Sequence, residues 1–149
     1  MKNIFLLLAI VACLVACGTA EEKETGKILT EEEKKQAGKD TSNFTTVAWL
    51  DSTYTNLGKV KEGRVVEVGF RFRNTGDKNL IIANVQPGCG CTTPEKPEKP
   101  YAPGDEGVIK VKFDSKGQHK GEHIKNVMVT ANTVPSQQVQ LLFRVEIID

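Results

Sequence analysis

Two cysteines a single residue apart, Cys89 and Cys91, are the side chains in this sequence best suited to chemistry. With Gly90 between them and Thr92 after them they read Cys-Gly-Cys-Thr. They stand near the start of Gln86 to Gly107, a stretch that holds five of the six prolines. Three chemistries fit the pair. A local disulfide is the first, and an oxidising compartment would favour it. Closing a ring of three residues stabilises a fold by only about 1.6 kcal/mol, before any strain is subtracted. Strained or exposed bridges are also the labile ones. A pair of thiolates for a soft metal such as Cu(I) or Zn(II) is the second. Two sulfurs leave a tetrahedral zinc site incomplete, and no histidine or third cysteine is near in sequence. The third is a pair of reduced, buried thiols that act as small hydrophobes while the turn shapes the loop. No helix N-terminus is at hand to lower a thiol pKa, as it would be in a Cys-x-x-Cys motif that opens a helix. All three readings stay open. Cys89, Cys91 and Thr92 are the candidate redox or binding residues.

The other reactive residues offer less. His119 and His123 have the i,i+4 spacing of a helical metal motif, but Lys116-Gly117 and Lys120-Gly121 make the segment a loop and a strand start. Chain order also parts them from the cysteines. The cysteine loop enters the strand Val108 to Phe113 at one end, and the histidines follow its other end, roughly 20 Å away. Asn43-Phe44-Thr45 matches a glycosylation acceptor and is discounted because the N-terminal segment resembles a bacterial lipoprotein signal. Asp51-Ser52-Thr53 resembles a short O-glycosylation motif and reads as an ordinary turn. No Ser-His-Asp arrangement, phosphate-cradling glycine loop or inward carboxylate pair is visible. An enzyme, a metal site, a cofactor and a small-molecule substrate are therefore not expected.

These residues must be positioned by strands. Phe44 to Leu50, Tyr54 to Val60, Arg64 to Asn74, Leu80 to Val85, Val108 to Phe113, Glu122 to Ala131 and Gln137 to Ile148 read as strands, and Arg64 to Asn74 and Val108 to Phe113 alternate apolar and polar residues clearly. Alternation of that kind marks half-buried antiparallel strands. Val66, Phe70, Phe72, Ile109, Val111, Phe113, Leu141 and Phe143 are the expected core, with Ile124, Val127 and Val129 from the sixth strand. Gly69 hints at a bulge or a close approach. The slip between Ile124 and Val127 suggests a bulge. Gln86 to Gly107 reads as one long loop, and its Glu-Lys-Pro repeat at Glu95 to Pro100 as a polyproline-like arm. About seven strands with regular turns make an all-β, immunoglobulin-like antiparallel β-sandwich over residues 44–149. Cysteines two apart cannot staple its sheets together.

The N-terminus has a different character. Lys2 and the apolar run Ile4 to Val15 form a targeting segment too short to span a membrane. It ends in Leu14-Val15-Ala16-Cys17-Gly18, which resembles the lipobox of bacterial lipoproteins. That resemblance implies a signal peptide over 1–16 and lipid attachment at Cys17. Residues 17–43 are rich in Glu, Lys, Gly and Thr and read as a flexible tether. Glu21 and Glu22 loosely resemble a surface-export signal and read as solvated linker. Thr30 to Glu33 fits a capping box and Gly38 a helix end. A short helix over Glu31 to Ala37 is therefore expected, without an apolar face, and is read as spacer.

One combination is more specific. Phe70-Arg71-Phe72-Arg73-Asn74-Thr75-Gly76-Asp77, Leu80-Ile81-Ile82, Cys89-Gly90-Cys91-Thr92, Pro103-Gly104 and Ile109 to Asp114 together resemble the bacterial family called domain of unknown function 1573. Gly121 and Ala131-Asn132 fit as well, and the likeness covers Val47 to Val145. It implies a sandwich similar to Hydin-type and major-sperm-protein-like domains, and it implies no activity. Composition adds bounds. Net charge is +1, aromatics are 6% and charged residues 26%, so a basic nucleic-acid surface is not indicated. The expectation is a non-enzymatic protein of the bacterial cell envelope, an outer-membrane lipoprotein facing periplasm or cell surface. It would be held to the membrane by its N-terminal lipid and would bind or scaffold other envelope proteins. The alternative is a thiol-redox or soft-metal-handling accessory that uses the Cys-Gly-Cys loop.

Overall fold

The computed structural model describes residues 28–149. The expected signal peptide, Cys17, and Glu21 and Glu22 lie outside the described residues. Eight strands follow a short helix: β1 (Val47–Trp49), β2 (Tyr54–Lys61), β3 (Val65–Asn74), β4 (Ile82–Pro87), β5 (Thr92–Glu95), β6 (Glu106–Asp114), β7 (Gly121–Ala131) and β8 (Gln138–Ile148). They form two four-stranded sheets, ordered β1-β3-β6-β5 and β2-β8-β7-β4. The chain is an immunoglobulin-like β-sandwich.

The core follows from alternation. Along β3, Val68, Phe70 and Phe72 point inward, and Ile109, Val111 and Phe113 of β6 face the same way. From the second sheet come Val127, Val129, Leu141, Phe143, Val145 and Ile147. Each apolar side chain removed from water in this way stabilises the fold by about 1.5–3 kcal/mol. Phe113 meets Phe143 edge to face across the sandwich, with ring centroids 5.8 Å apart. Phe72 stands between Trp49 and Tyr101, at 5.7 and 4.9 Å. Of the expected core, Val66 is only half-buried, and Ile124 is not core at all.

Several expectations change. The sandwich is not wholly antiparallel, because β2 pairs parallel with β8. The two come from opposite ends of the chain, so no crossover is needed to join them. The eighth strand, β5, lies within the stretch read as loop and pairs antiparallel with β6. Gly69 marks a close approach rather than a bulge. The β3–β6 register is unbroken, and a Cβ at Gly69 would come within 3.0 Å of Val108. The register between β7 and β8 is also continuous. Ile124 is 63% exposed on the outer face, while Lys125 takes the inward parity with its Nζ 5.6 Å from the Phe113 ring centre. The one register shift on β7 is against β4, between Ile82 and Asn84.

The helix, α1 (Glu31–Ala37), forms where its capping box predicts. Glu33 N–H donates to Thr30 Oγ1 at 3.2 Å and Thr30 N–H to Glu33 Oε2 at 2.7 Å. Three acids in the first turn and two lysines in the last suit the helix dipole. It is not a free spacer. It lies beside β4, Lys34 is 2% exposed, and Lys96 Nζ bonds Glu31 Oε1 at 2.7 Å. That ammonium holds the Glu31 carboxyl below its ordinary range.

Candidate functional site

The Cys-Gly-Cys-Thr segment is the crossover between the two sheets. β4 ends at Pro87, opposite Val127 of the second sheet. Gly88 N–H then donates to Asn126 O at 2.9 Å. A Cβ on Gly88 would sit 2.1 Å from Asn126 Oδ1, so any larger residue there requires the Asn126 side chain to move. The chain turns, with Thr92 N–H to Cys89 O at 3.3 Å, and joins the first sheet through Asp114 N–H to Cys91 O at 2.9 Å. Thr92 then pairs with Phe113.

The two sulfurs are bonded to each other as a disulfide, with Cα atoms 5.4 Å apart. Of the three chemistries open at the sequence, the bridge is the one present. A sulfur held in that bond is not a thiolate and cannot ligate a soft metal. The environment of the bond is uneven. Cys91 packs against the hydrophobic core and Cys89 is not among the residues that do. Gly88 and Gly90, on either side of Cys89, are exposed. A Cβ at Gly90 would meet nothing within 4 Å. Thr92 is buried, and its Oγ1 lies 3.4 Å from Cys89 Sγ and 3.9 Å from Cys91 Sγ. A bridged sulfur carries no proton, so the single threonine O–H is the donor, and it can turn to either sulfur.

The strand beyond the bond has a closed outer edge. The Asp114–Cys91 bond sets the phase of the β5–β6 ladder, and alternation then points the main-chain groups of Thr92 and Pro94 away from β6. Thr92 N–H is taken by Cys89 O and Pro94 has none, so this edge presents carbonyls only. That explains a proline inside a strand, and it makes β5 a poor template for strand addition by a partner.

The structure also overturns the separation of cysteines and histidines. Because β5 runs back along β6, Cys91 reaches the C-terminal end of β6, where the turn carrying His119 begins. The long stretch does fold back down the sandwich, and Tyr101 closes it by exchanging backbone bonds with Leu80 at the far end. The histidines still have their own partner, His123 Nε2 being 2.6 Å from His119 O. Among the described residues, no three His, Cys, Asp or Glu side chains converge to hold a metal ion. The turn at Asp51 to Thr53 is spent on structure. Asp51 takes Arg71 at 2.7 Å, which pulls its pKa down to about 2, and Ser52 Oγ accepts from Tyr54 N–H.

Two buried amides were not singled out by reading the sequence. Asn74 is fully buried and makes all four side-chain hydrogen bonds. Oδ1 accepts from Thr45 Oγ1 (2.8 Å) and Gly76 N–H (3.2 Å), and Nδ2 donates to Lys78 O (2.7 Å) and Tyr101 O (2.9 Å). Asn132, 1% exposed, takes Ile81 N–H and donates to Asn43 O and Asn79 O. The signal for Asn74 was present, since it continues the inward parity of Phe70 and Phe72. Both amides bind backbone and hold connecting segments in place.

Known proteins add a family and a fold. No curated protein matches the sequence. Among solved structures, a Porphyromonas gingivalis protein of unknown function aligns with TM-score 0.63 and 15% identity, over 72% of this chain and 49% of that one. The secreted serine protease VesC of Vibrio cholerae aligns at 0.52 and 12%, over 70% of this chain and 24% of that one. The PapD-like domain 7 of human CEP192 aligns at 0.53 and 10%, over 72% and 88%. This chain thus spans about half of the first protein and a quarter of the second. At such identities the likeness is one of fold. Residues 48–147 match a family description across nearly the whole sandwich, and the chain belongs to that family, described as protein of unknown function (DUF1573).

Proposed function

We propose that this chain is a non-enzymatic, lipid-anchored module of the bacterial cell envelope that binds or scaffolds other envelope proteins. The observation that carries this reading is where the buried polar groups go. Asn74, Asn132 and Ser115 are each bonded to backbone atoms, so these three buried groups hold the scaffold. The ion pairs Arg71–Asp51, Arg73–Glu106, Lys112–Glu95 and Arg144–Glu122 stand on the outer faces. Cys17 is the anchor in this reading, and the outer membrane the compartment. Crosslinking in cells followed by mass spectrometry tests binding. Reproducible crosslinks to one or a few envelope proteins are expected, and their absence at every exposed position would sink the reading. Cys17→Ala tests anchoring. The variant should move to the soluble envelope fraction, and retention in the membrane with its signal removed would overturn the anchor.

The second reading, a thiol-redox accessory, is favoured by one observation, the bond between Cys89 and Cys91. Soft-metal handling would first require that bond to be reduced.

A further inference from the structure

We propose that the Cys89–Cys91 bond is a thiol–disulfide exchange site for a partner protein presenting a pair of thiols, and that Cys89 is the sulfur attacked. The exchange deepens the thiol-redox reading and rests on it, and it needs neither the lipid anchor nor scaffolding.

Four observations converge. First, the bond closes a ring across one intervening residue. A ring so small ties no distant parts of the chain together, so opening it releases little of the fold. Bridges that are exposed or constrained are the ones that exchange. Second, the two cysteines are both half-buried but have unequal surroundings. Cys89 stands between two exposed glycines, whereas Cys91 rests on the core and is followed by buried Thr92. Third, Gly90 is free of steric duty. Its backbone is not left-handed, and a Cβ there would meet only space. Gly88 is crowded by the Asn126 side chain, but at Gly90 a Cβ has open space, and a side chain there would stand beside the bond. Fourth, the Thr92 hydroxyl reaches both sulfurs. Held by burial, it can donate to whichever sulfur carries the negative charge, and hydrogen bonding to the charged form favours that form.

The step balances. A thiolate of the partner bonds to Cys89 Sγ as the Cys89–Cys91 bond breaks, and Cys91 leaves with the electron pair as a thiolate. The partner's second thiolate then attacks the partner sulfur of that mixed disulfide, closing the partner's own bridge and releasing Cys89 as a thiolate. Two electrons pass to this chain, the partner is oxidised, and the two new thiolates take up the protons that the partner's thiols gave to solvent.

The test uses the full chain, natively folded, with reduced glutathione as the probe and differential alkylation read by mass spectrometry. Lys96 and Lys99 precede prolines, so one tryptic peptide, Asn79 to Lys110, carries both sulfurs and no other cysteine. Opening of the bond without denaturant is expected. A bond that opens only after the chain is unfolded would overturn the proposal. For the attacked sulfur, Cys91→Ser should form a mixed disulfide with oxidised glutathione severalfold faster than Cys89→Ser, and equal or reversed rates would overturn that assignment. Gly90→Val should melt like the parent yet exchange severalfold more slowly. Thr92→Val should also exchange more slowly at matched folding. Unchanged exchange in both variants would show that neither the open space at Gly90 nor the hydroxyl matters, and would overturn the site as described.

Discussion

Asn74 gives the sharpest test of how this sandwich is held together. Its amide ends β3 and gathers four groups: the Thr45 hydroxyl, the Gly76 N–H, and the carbonyls of Lys78 and Tyr101. These belong to the entry into β1, the turn after β3 and the far end of the proline-rich stretch. Asn74→Ala removes all four bonds. At a net value near 1 kcal/mol each, the loss is about 4 kcal/mol. For a domain of this size that lowers Tm by roughly 15–30 °C in a far-UV circular dichroism melt. Total stability of such domains is only about 5–15 kcal/mol, so the substitution should remove between about a quarter and four-fifths of it. Asn74→Asp keeps the shape and both accepting positions, but sets a carboxylate against two carbonyls. Burial and those carbonyls raise its folded pKa above the unfolded value of about 3.9. The folded state then binds the extra proton, so the variant's deficit should grow as pH rises from about 4 through the folded pKa. An alanine variant that melts within about 5 °C of the parent, or an aspartate variant whose deficit ignores pH, would refute the view of Asn74 as the hub of the three segments.

Three further outcomes are expected. Phe72→Ala should cost about 3–5 kcal/mol by chemical denaturation, because it empties the space between Trp49, Tyr101 and the core; a shift of a degree or two would contradict the inward assignment of β3. Cys89→Ser with Cys91→Ser should cost no more than about 1.6 kcal/mol, since the crossover is also held by Gly88 to Asn126 and Asp114 to Cys91. A Tm drop beyond about 15 °C would make the motif a structural keystone. Asp51, held at a pKa of about 2 by Arg71, contributes stability that is present above its unfolded value of about 3.9 and is lost as pH falls toward 2. Asp51→Asn should therefore flatten the fall in Tm over that acid window, and an unchanged acid profile would show that the pair does not couple to folding.

The strands with clean alternation were legible. β3, β6 and β8 carry their inward residues at every second position, and period two leaves little choice of face. The helix was legible from its capping box, but its docking was not. It is held by Lys96 and the β4 edge, partners remote in sequence that no helical periodicity reveals. β5 was missed because Thr-Thr-Pro-Glu lacks apolar alternation and contains a proline. An edge strand bonded on one side tolerates that proline where its missing N–H faces outward. Missing β5 also sent the cysteines to the wrong end of β6, since a strand read as loop has no direction. Ile124 misled in the opposite sense. An exposed isoleucine beside an inward lysine imitates a bulge, and only the unbroken β7–β8 pairing separates the two.

The two sequence signatures of this chain differ in what they leave unexplained. In Phe70 to Gly76, packing accounts for the fixed positions. Phe70 and Phe72 fill the core, Asn74 is the amide hub, and a Cβ at Gly76 would strike Thr45 Oγ1 at 2.1 Å and Thr46 N at 2.7 Å. In Cys89 to Thr92, burial explains Thr92 and packing on the core accounts for Cys91, but neither requires the bond or Gly90. The bond joins no distant elements and adds little to stability, and a Cβ at Gly90 would meet nothing within 4 Å. Local rules that a fold does not need are the ones to suspect of serving function. A small, exposed residue within a weakly stabilising, half-buried bridge, beside a hydroxyl able to follow the charge between its sulfurs, is best accounted for by what the bond does when it opens.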